Sequence, residues 1–213
     1  MIYILGGERF MKEELFNNRY MPAYITKQTS TALVTISNIQ KQMIDVKWGL
    51  FGNIRKNGCG IIASYNVLAS KSSAITFEDV LLAIKKRRGA LLSGLFGVKP
   101  WTVYKYLSKK FNSHWRVFFK TKFPNFDQMT KTSDTMIILV KWKGTLAMHY
   151  IAGIWQKNIQ SDALFKFYNT SVKDDNNLSI DEQPMTIQSF LSLLKKRGHT
   201  VLMLMGFSDK KDI

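Results

Sequence analysis

The amino-acid sequence predicts an α+β domain in which a mainly helical stretch precedes an antiparallel sheet. Three observations carry this reading. Apolar residues recur at helical spacing behind Thr76, Pro100 and Thr186. From Thr135 onward the chain turns to runs rich in Ile, Val, Tyr, Phe and Trp, the residues that favour strands. The links between those runs are too short for a parallel crossover. With 213 residues, 46% of them hydrophobic, the chain is long enough to bury one core and is taken as a single domain.

Residues 1–48 are read as an N-terminal extension, with a helix over Glu8–Tyr20 and an irregular Ala32–Met43 that fits neither helix nor strand, and 49–207 as the core. Turn residues in Trp48–Gly52 and Lys56–Gly58 lead to Cys59, and Gly60–Ala69 is apolar nearly all round, the mark of a core helix capped near Asn57 or Gly58. Thr76 opens the next helix with Asp79 as its capping-box partner. Phe77, Val80, Leu81 and Ile84 form its apolar stripe, and Gly89 closes it. Pro100 suits a first helical position, with Trp101, Tyr104, Leu107, Ser108 and Phe111 as the stripe behind it. Asn112–Trp115 reads as a loop. Strands are expected at Met136–Trp142, Leu146–Trp155 and Ala163–Asn169, joined by Lys143–Thr145 and by a loop around Lys157–Asn158. Lys173–Pro184 is a polar loop. Thr186 caps a helix bearing Ile187, Phe190, Leu191 and Leu194 and ending at Gly198, and Val201–Phe207 adds a last strand.

The chain carries 31 Lys and Arg against 15 Asp and Glu, a formal charge of +16, which is the electrostatic footprint of a nucleic-acid or anionic-surface binder. The cations are spread along the chain, however, and the clusters Lys85–Arg88 and Lys195–Arg197 each end a helix whose C-terminal dipole favours them. The single Cys excludes an intrachain disulfide and a thiolate zinc site, so no metal and no cofactor is expected. No signal peptide is apparent behind Met1, and no apolar run approaches the roughly 20 residues of a membrane span. A cytoplasmic setting without a transmembrane segment is the expectation.

Cys59 lies between two glycines at a helix start, where partial positive charge lowers a thiol's pKa, and flanking glycines let a substrate backbone come close. A thiolate needs a base. Of His114, His149 and His199, His149 stands in an extended run with Ala147, Ile151 and Gly153 on its face. If the following hairpin is centred on Ile159, His149 lies opposite Asn169, whose side chain then orients the imidazole while the other ring nitrogen meets the thiol. The expectation is that Cys59, His149 and Asn169 meet in one cleft, that His149 shares the sheet face of the Cys59 helix, and that the pair lowers the Cys59 pKa.

Gly58-Cys59-Gly60 opening a helix, His149-Tyr150 on a strand and Phe167-Tyr168-Asn169 on the next resemble the papain-like cysteine peptidases, above all bacterial double-glycine leader peptidases and their stand-alone relatives. The resemblance spans roughly residues 48–207. It implies a central Cys-bearing helix packed on an antiparallel sheet. It also implies a thiol protease, a hydrolase that cleaves an amide bond of a peptide or protein substrate. Cys59 is then nucleophile, His149 general base and Asn169 orienter. Such enzymes have a Gln a few residues before the Cys as oxyanion donor; here Asn53 stands six residues before it. The same site serves acyl transfer or deamidation. Two other classes stay open: a basic binding module for nucleic acid or an anionic surface, with a structural Cys, and an inactive peptidase-like interaction protein. Substrate and oligomeric state are not given by the residues.

Overall fold

The computed structural model describes residues 46–209, apart from 73, 119–125, 145–146, 160–161, 175–177 and 182. The expectations for Glu8–Tyr20 and Ala32–Met43 lie outside the described residues. In chain order the elements are β1 (Lys47–Trp48), β2 (Gly52–Asn53), α1 (Ile54–Asn57), α2 (Cys59–Ala69), α3 (Phe77–Lys86), α4 (Pro100–Leu107), β3 (Ser113–Phe118), α5 (Phe126–Thr132), β4 (Thr135–Lys141), β5 (Met148–Ile159), β6 (Asp162–Tyr168), β7 (Pro184–Thr186), α6 (Ile187–Lys196) and β8 (Thr200–Ser208). The fold is α+β. Six strands form one sheet in the order β3-β8-β4-β5-β6-β7, antiparallel at every pairing.

Strand alternation sends side chains to two cores. Ile137, Leu139, Tyr150, Ala152, Met205 and Phe207 face α2, α3 and α4. Met136, Ile138, Val140, Ile151, Phe165 and Phe167 face the other side, where Phe190 and Leu194 of α6 and Met129 of α5 pack. All eleven residues of α2 are buried, the polar Ser64 and Asn66 included, as a surface apolar nearly all round predicts. The capping box at Thr76 forms in full: its Oγ1 accepts from Asp79 N–H, while the Asp79 carboxylate accepts from Thr76 N–H. Thr186 caps α6 in the same way, accepting from Ser189 N–H.

Several expectations are corrected. Val46 and Trp48 are buried in the first core, so the core begins ahead of residue 49. On α4 the buried residues are Val103, Tyr106 and Leu107; Trp101 is 48% exposed, with Arg116 of β3 stacked over its ring and that of Tyr104. The segment around His114 is strand, not loop: β3 pairs along β8, His114 opposite Phe207. Helix α3 closes with Arg88, not Gly89, in the left-handed region at φ +52°. Lys157 and Asn158 belong to β5, where a bulge between Trp155 and Lys157 moves the hairpin turn outward, leaving Ile159 opposite Asp162.

Candidate functional site

Helix α2 begins at a junction made by close backbone approach. Gly58 is both the C-cap of α1 and the N-cap of α2, and a Cβ there would lie 2.5 Å from Ile54 Cγ2. A Cβ on Gly60 would lie 2.9 Å from Val98 Cβ. The glycines around Cys59 therefore admit the protein's own Ile54 and Val98, which corrects the expectation that they leave room for a substrate backbone. Val98 is itself held to the sheet, since Tyr150 Oη donates to its carbonyl at 2.8 Å.

The packing sends the start of α2 to an open stretch of sheet edge. Just ahead of β5, Ala147 turns its carbonyl toward the chain leaving β4 and accepts from Trp142 N–H. By alternation, Met148 and Tyr150 direct their backbone groups to the β6 side. The β6 ladder ends where Ala152 faces Tyr168, so these groups lie beyond its reach. The Cys59 thiol takes the vacant position. Its Sγ donates to the Met148 carbonyl at 4.0 Å, and the Tyr150 N–H favours its thiolate form. The sulfur thus touches the main chain on both sides of His149.

His149 itself is placed differently from the expectation. It alternates with Tyr150 and Ala152, which face α2, and lies with Ile151 on the opposite face of the sheet; its ring lies 5.4 Å from that of Trp142. The hairpin register also differs. Near the strand start Ala152 pairs with Tyr168 and Gly153 with Phe167, so each β5 residue meets a partner two positions later than a turn centred on Ile159 gives, because the turn lies beyond Ile159. Parity survives a two-residue slip. Asn169 lies past the ladder and meets His149 through its main chain, not its side chain: His149 Nε2–H donates to the Asn169 carbonyl at 2.5 Å.

That bond has a chemical consequence. A carbonyl only accepts, so the neutral ring carries its proton on Nε2 and leaves Nδ1 as the basic nitrogen. The turn that aims the carbonyl is built for rigidity. Asn169 sits at φ +59°, a region Asn tolerates better than other side chains. Thr170 N–H donates to Asp181 Oδ1 at 2.8 Å, and Val172 N–H donates to Thr170 Oγ1 at 3.2 Å. Asp181 also favours the charged form of His149 by its own charge. It was missed in the sequence because it sits in a polar loop, where a single Asp looks like surface. Replacing it, Asp181→Asn, is expected to lower the His149 titration midpoint further, as read by NMR of the imidazole ring. A midpoint that rises or stays put removes Asp181 from the site.

Burial dominates the electrostatics. Desolvation pushes the Cys59 thiol up to about 11, against smaller opposing effects from the backbone N–H groups of Tyr150, Gly60 and Cys59 itself. This overturns the expected depression: the helix start helps, but a fully buried thiolate loses more hydration than the helix returns. Desolvation likewise holds His149 below its ordinary value, with the Asn169 bond and Asp181 acting against it. At neutral pH the pair rests as thiol and imidazole.

The remaining candidates divide. Asn53 caps α1, its Oδ1 accepting from Lys56 N–H at 3.0 Å, which commits the oxygen and leaves its amide N–H₂ as the group able to donate. His199 packs edge-on against Trp142 at 4.2 Å, and His114 packs on Tyr104 at 5.6 Å. Among the described residues no group of three or more His, Cys, Asp or Glu is arranged to hold a metal ion, and no helix is long and apolar enough to cross a membrane. No family model matches the chain, and no curated protein is similar to it.

Proposed function

We propose that this chain is a papain-like cysteine hydrolase that cleaves an amide bond, in the first instance a peptidase. The supporting observation is the Cys59 sulfur seated against the main chain on both sides of His149 while the Asn169 carbonyl fixes the imidazole with Nδ1 as its base. In this reading Sγ attacks the carbonyl carbon and the thiol proton, held at rest because the thiol is neutral, ends on the leaving amine. Strand parity puts the His149 side chain on the sheet face away from α2, so Nδ1 relays that proton only after the ring turns round the sheet edge. The backbone N–H of Cys59 and the Asn53 amide are the oxyanion donors. Asn169 is a positioning residue acting through its carbonyl. Acyl transfer and deamidation use the same steps with a different acceptor or amide.

The experiment is digestion of a peptide library read by mass spectrometry, with Cys59→Ala as the control. Cleavage is expected from the unsubstituted chain and to fall by about 10³-fold or more in Cys59→Ala, the scale of losing a nucleophile. Equal cleavage by both, or none by either, ends the hydrolase reading. Two observations favour a second reading, an inactive peptidase-like binder: Cys59 is 5% exposed with its thiol raised, as for a structural cysteine, and His149 lies on the sheet face away from α2, the placement that counts against a Cys59–His149 catalytic pair.

A further inference from the structure

We infer that the chain docks on the surface of an anionic lipid bilayer through an apolar platform made of two joined loop tips, a property that does not rest on the hydrolase reading. Leu50 and Phe51, in the turn between β1 and β2, are 80% and 70% exposed; Leu92, Leu95 and Phe96, in the loop between α3 and α4, are 64%, 53% and 53% exposed. Single exposed apolar residues are ordinary, but a contiguous apolar patch marks an interaction surface. These five belong to one unit. The N–H groups of Leu50 and Phe51 both donate to the Ser93 carbonyl, at 2.9 and 3.2 Å. Asn57 Nδ2 donates to the Gly94 carbonyl at 2.6 Å, and the buried Trp48 donates through Nε1 to the Gly97 carbonyl at 3.1 Å. The side chains are presented by a hydrogen-bonded scaffold that holds them in water.

The charge around the platform identifies the occupant. Lys47, Arg55 and Lys56 are exposed on the segment bearing the first tip, and Arg87 and Arg88 are exposed just ahead of the second. From Val46 to Phe126 the chain has fifteen Lys and Arg and two acidic residues, Glu78 and Asp79. Both acids sit in the first turn of α3, at the end remote in sequence from the second tip, and Asp79 is engaged in the capping box. Nucleic-acid phosphates match the cations but leave Leu50, Leu92 and Leu95 in water. The boundary between headgroups and acyl chains takes both, burying the leucines and phenylalanines while anionic headgroups meet the cations.

The test uses the full chain and vesicles of phosphatidylcholine, with or without about 30% phosphatidylglycerol, a content that gives a negative surface potential. Cosedimentation is expected with the anionic vesicles and to weaken as salt rises through the range where the Debye length shrinks. The double substitution Phe51→Ser with Phe96→Ser should weaken it by about tenfold or more, since two aromatic anchors no longer enter the apolar layer. Separately, Phe51→Trp should give indole emission quenched by brominated acyl chains, a readout that needs no loss-of-function variant. Absence of binding to anionic vesicles overturns the proposal, as does binding that survives the double substitution undiminished with no bromine quenching, which would be electrostatic adsorption alone. A preference for duplex DNA over the anionic vesicles would overturn it in favour of nucleic acid.

Discussion

At pH 7, iodoacetamide is expected to modify Cys59 in the folded chain about a hundred times more slowly than in the chain unfolded by denaturant. Burial raises the thiol from 9.0 to about 11, and the thiolate, the reactive form, falls about tenfold for each pH unit below the pKa. The low exposure of the sulfur adds a steric barrier in the same direction. The rate should climb with pH toward a midpoint near 11. A midpoint of about 8.5, the value of a free thiol, would mean that burial does not raise it, and only one well below about 7 would mean that Cys59 rests as the thiolate. The same two groups shape stability. Between its unfolded and folded pKa values Cys59 holds its proton only in the folded chain, so stability falls as pH rises from about 9 toward 11. His149 has the opposite sense. Its folded pKa is depressed, so the unfolded chain binds the extra proton and stability is lost as pH falls below about 6.5. Stability should therefore be greatest between the two, and denaturant midpoints measured across pH check it.

Phe190→Ala is expected to lower stability by about 3–5 kcal/mol, the cost of removing a fully buried aromatic ring that its surroundings cannot refill. The Phe190 ring lies parallel to Phe167, centroids 3.8 Å apart at 8°, and both residues are 0% exposed. This contact fixes α6 to β6, the strand that runs into Asn169. At about 2–4 °C per kcal/mol for a chain of this size, calorimetry should show the melting point drop by about 6 °C or more. A loss under about 1 kcal/mol would mean that α6 does not pack on the sheet as described. Because Phe190 shares its core with Val172 and Ile180, which follow Asn169 in the chain, the His149 ring resonances should broaden or shift in the variant, whereas its surface counterpart Leu178→Ala, at a residue 61% exposed, should leave both readouts in place.

Much of the fold is legible in the residues because its signals are local. Thr76 with Asp79, Thr186 with its stripe, Pro100 at a helix start and the β-branched runs after Thr135 each fix an element within one or two turns of chain. The strand β3 was not legible, because the polar Asn112, Ser113 and His114 read as loop and only pairing along β8 makes Ser113 and His114 strand. The α4 stripe differs from the expected one because a Trp at helical spacing reads as core, whereas the buried face carries Val103, Tyr106 and Leu107 and the Trp101 ring packs under Arg116 of another element.

The sequence by itself determined the α+β order, the capped helices, the all-round apolar α2 with Cys59 at its start, and the excess of positive charge. What needed tertiary structure were quantities set by distant parts of the chain meeting. The position of the β5–β6 turn set the hairpin register, with the bulge at Trp155 and Lys157 taking up one residue, and the end of the β6 ladder opened the edge that the thiol fills. Strand parity against two cores put His149 on the face away from α2. The Asn169 contact passed from side chain to carbonyl because a left-handed turn braced by Asp181 brings that carbonyl onto the ring. The pKa of Cys59 followed burial instead of the helix start. Local electrostatics is written in neighbouring residues, whereas desolvation depends on how many other segments crowd onto a site, and that count exists only once the chain has folded.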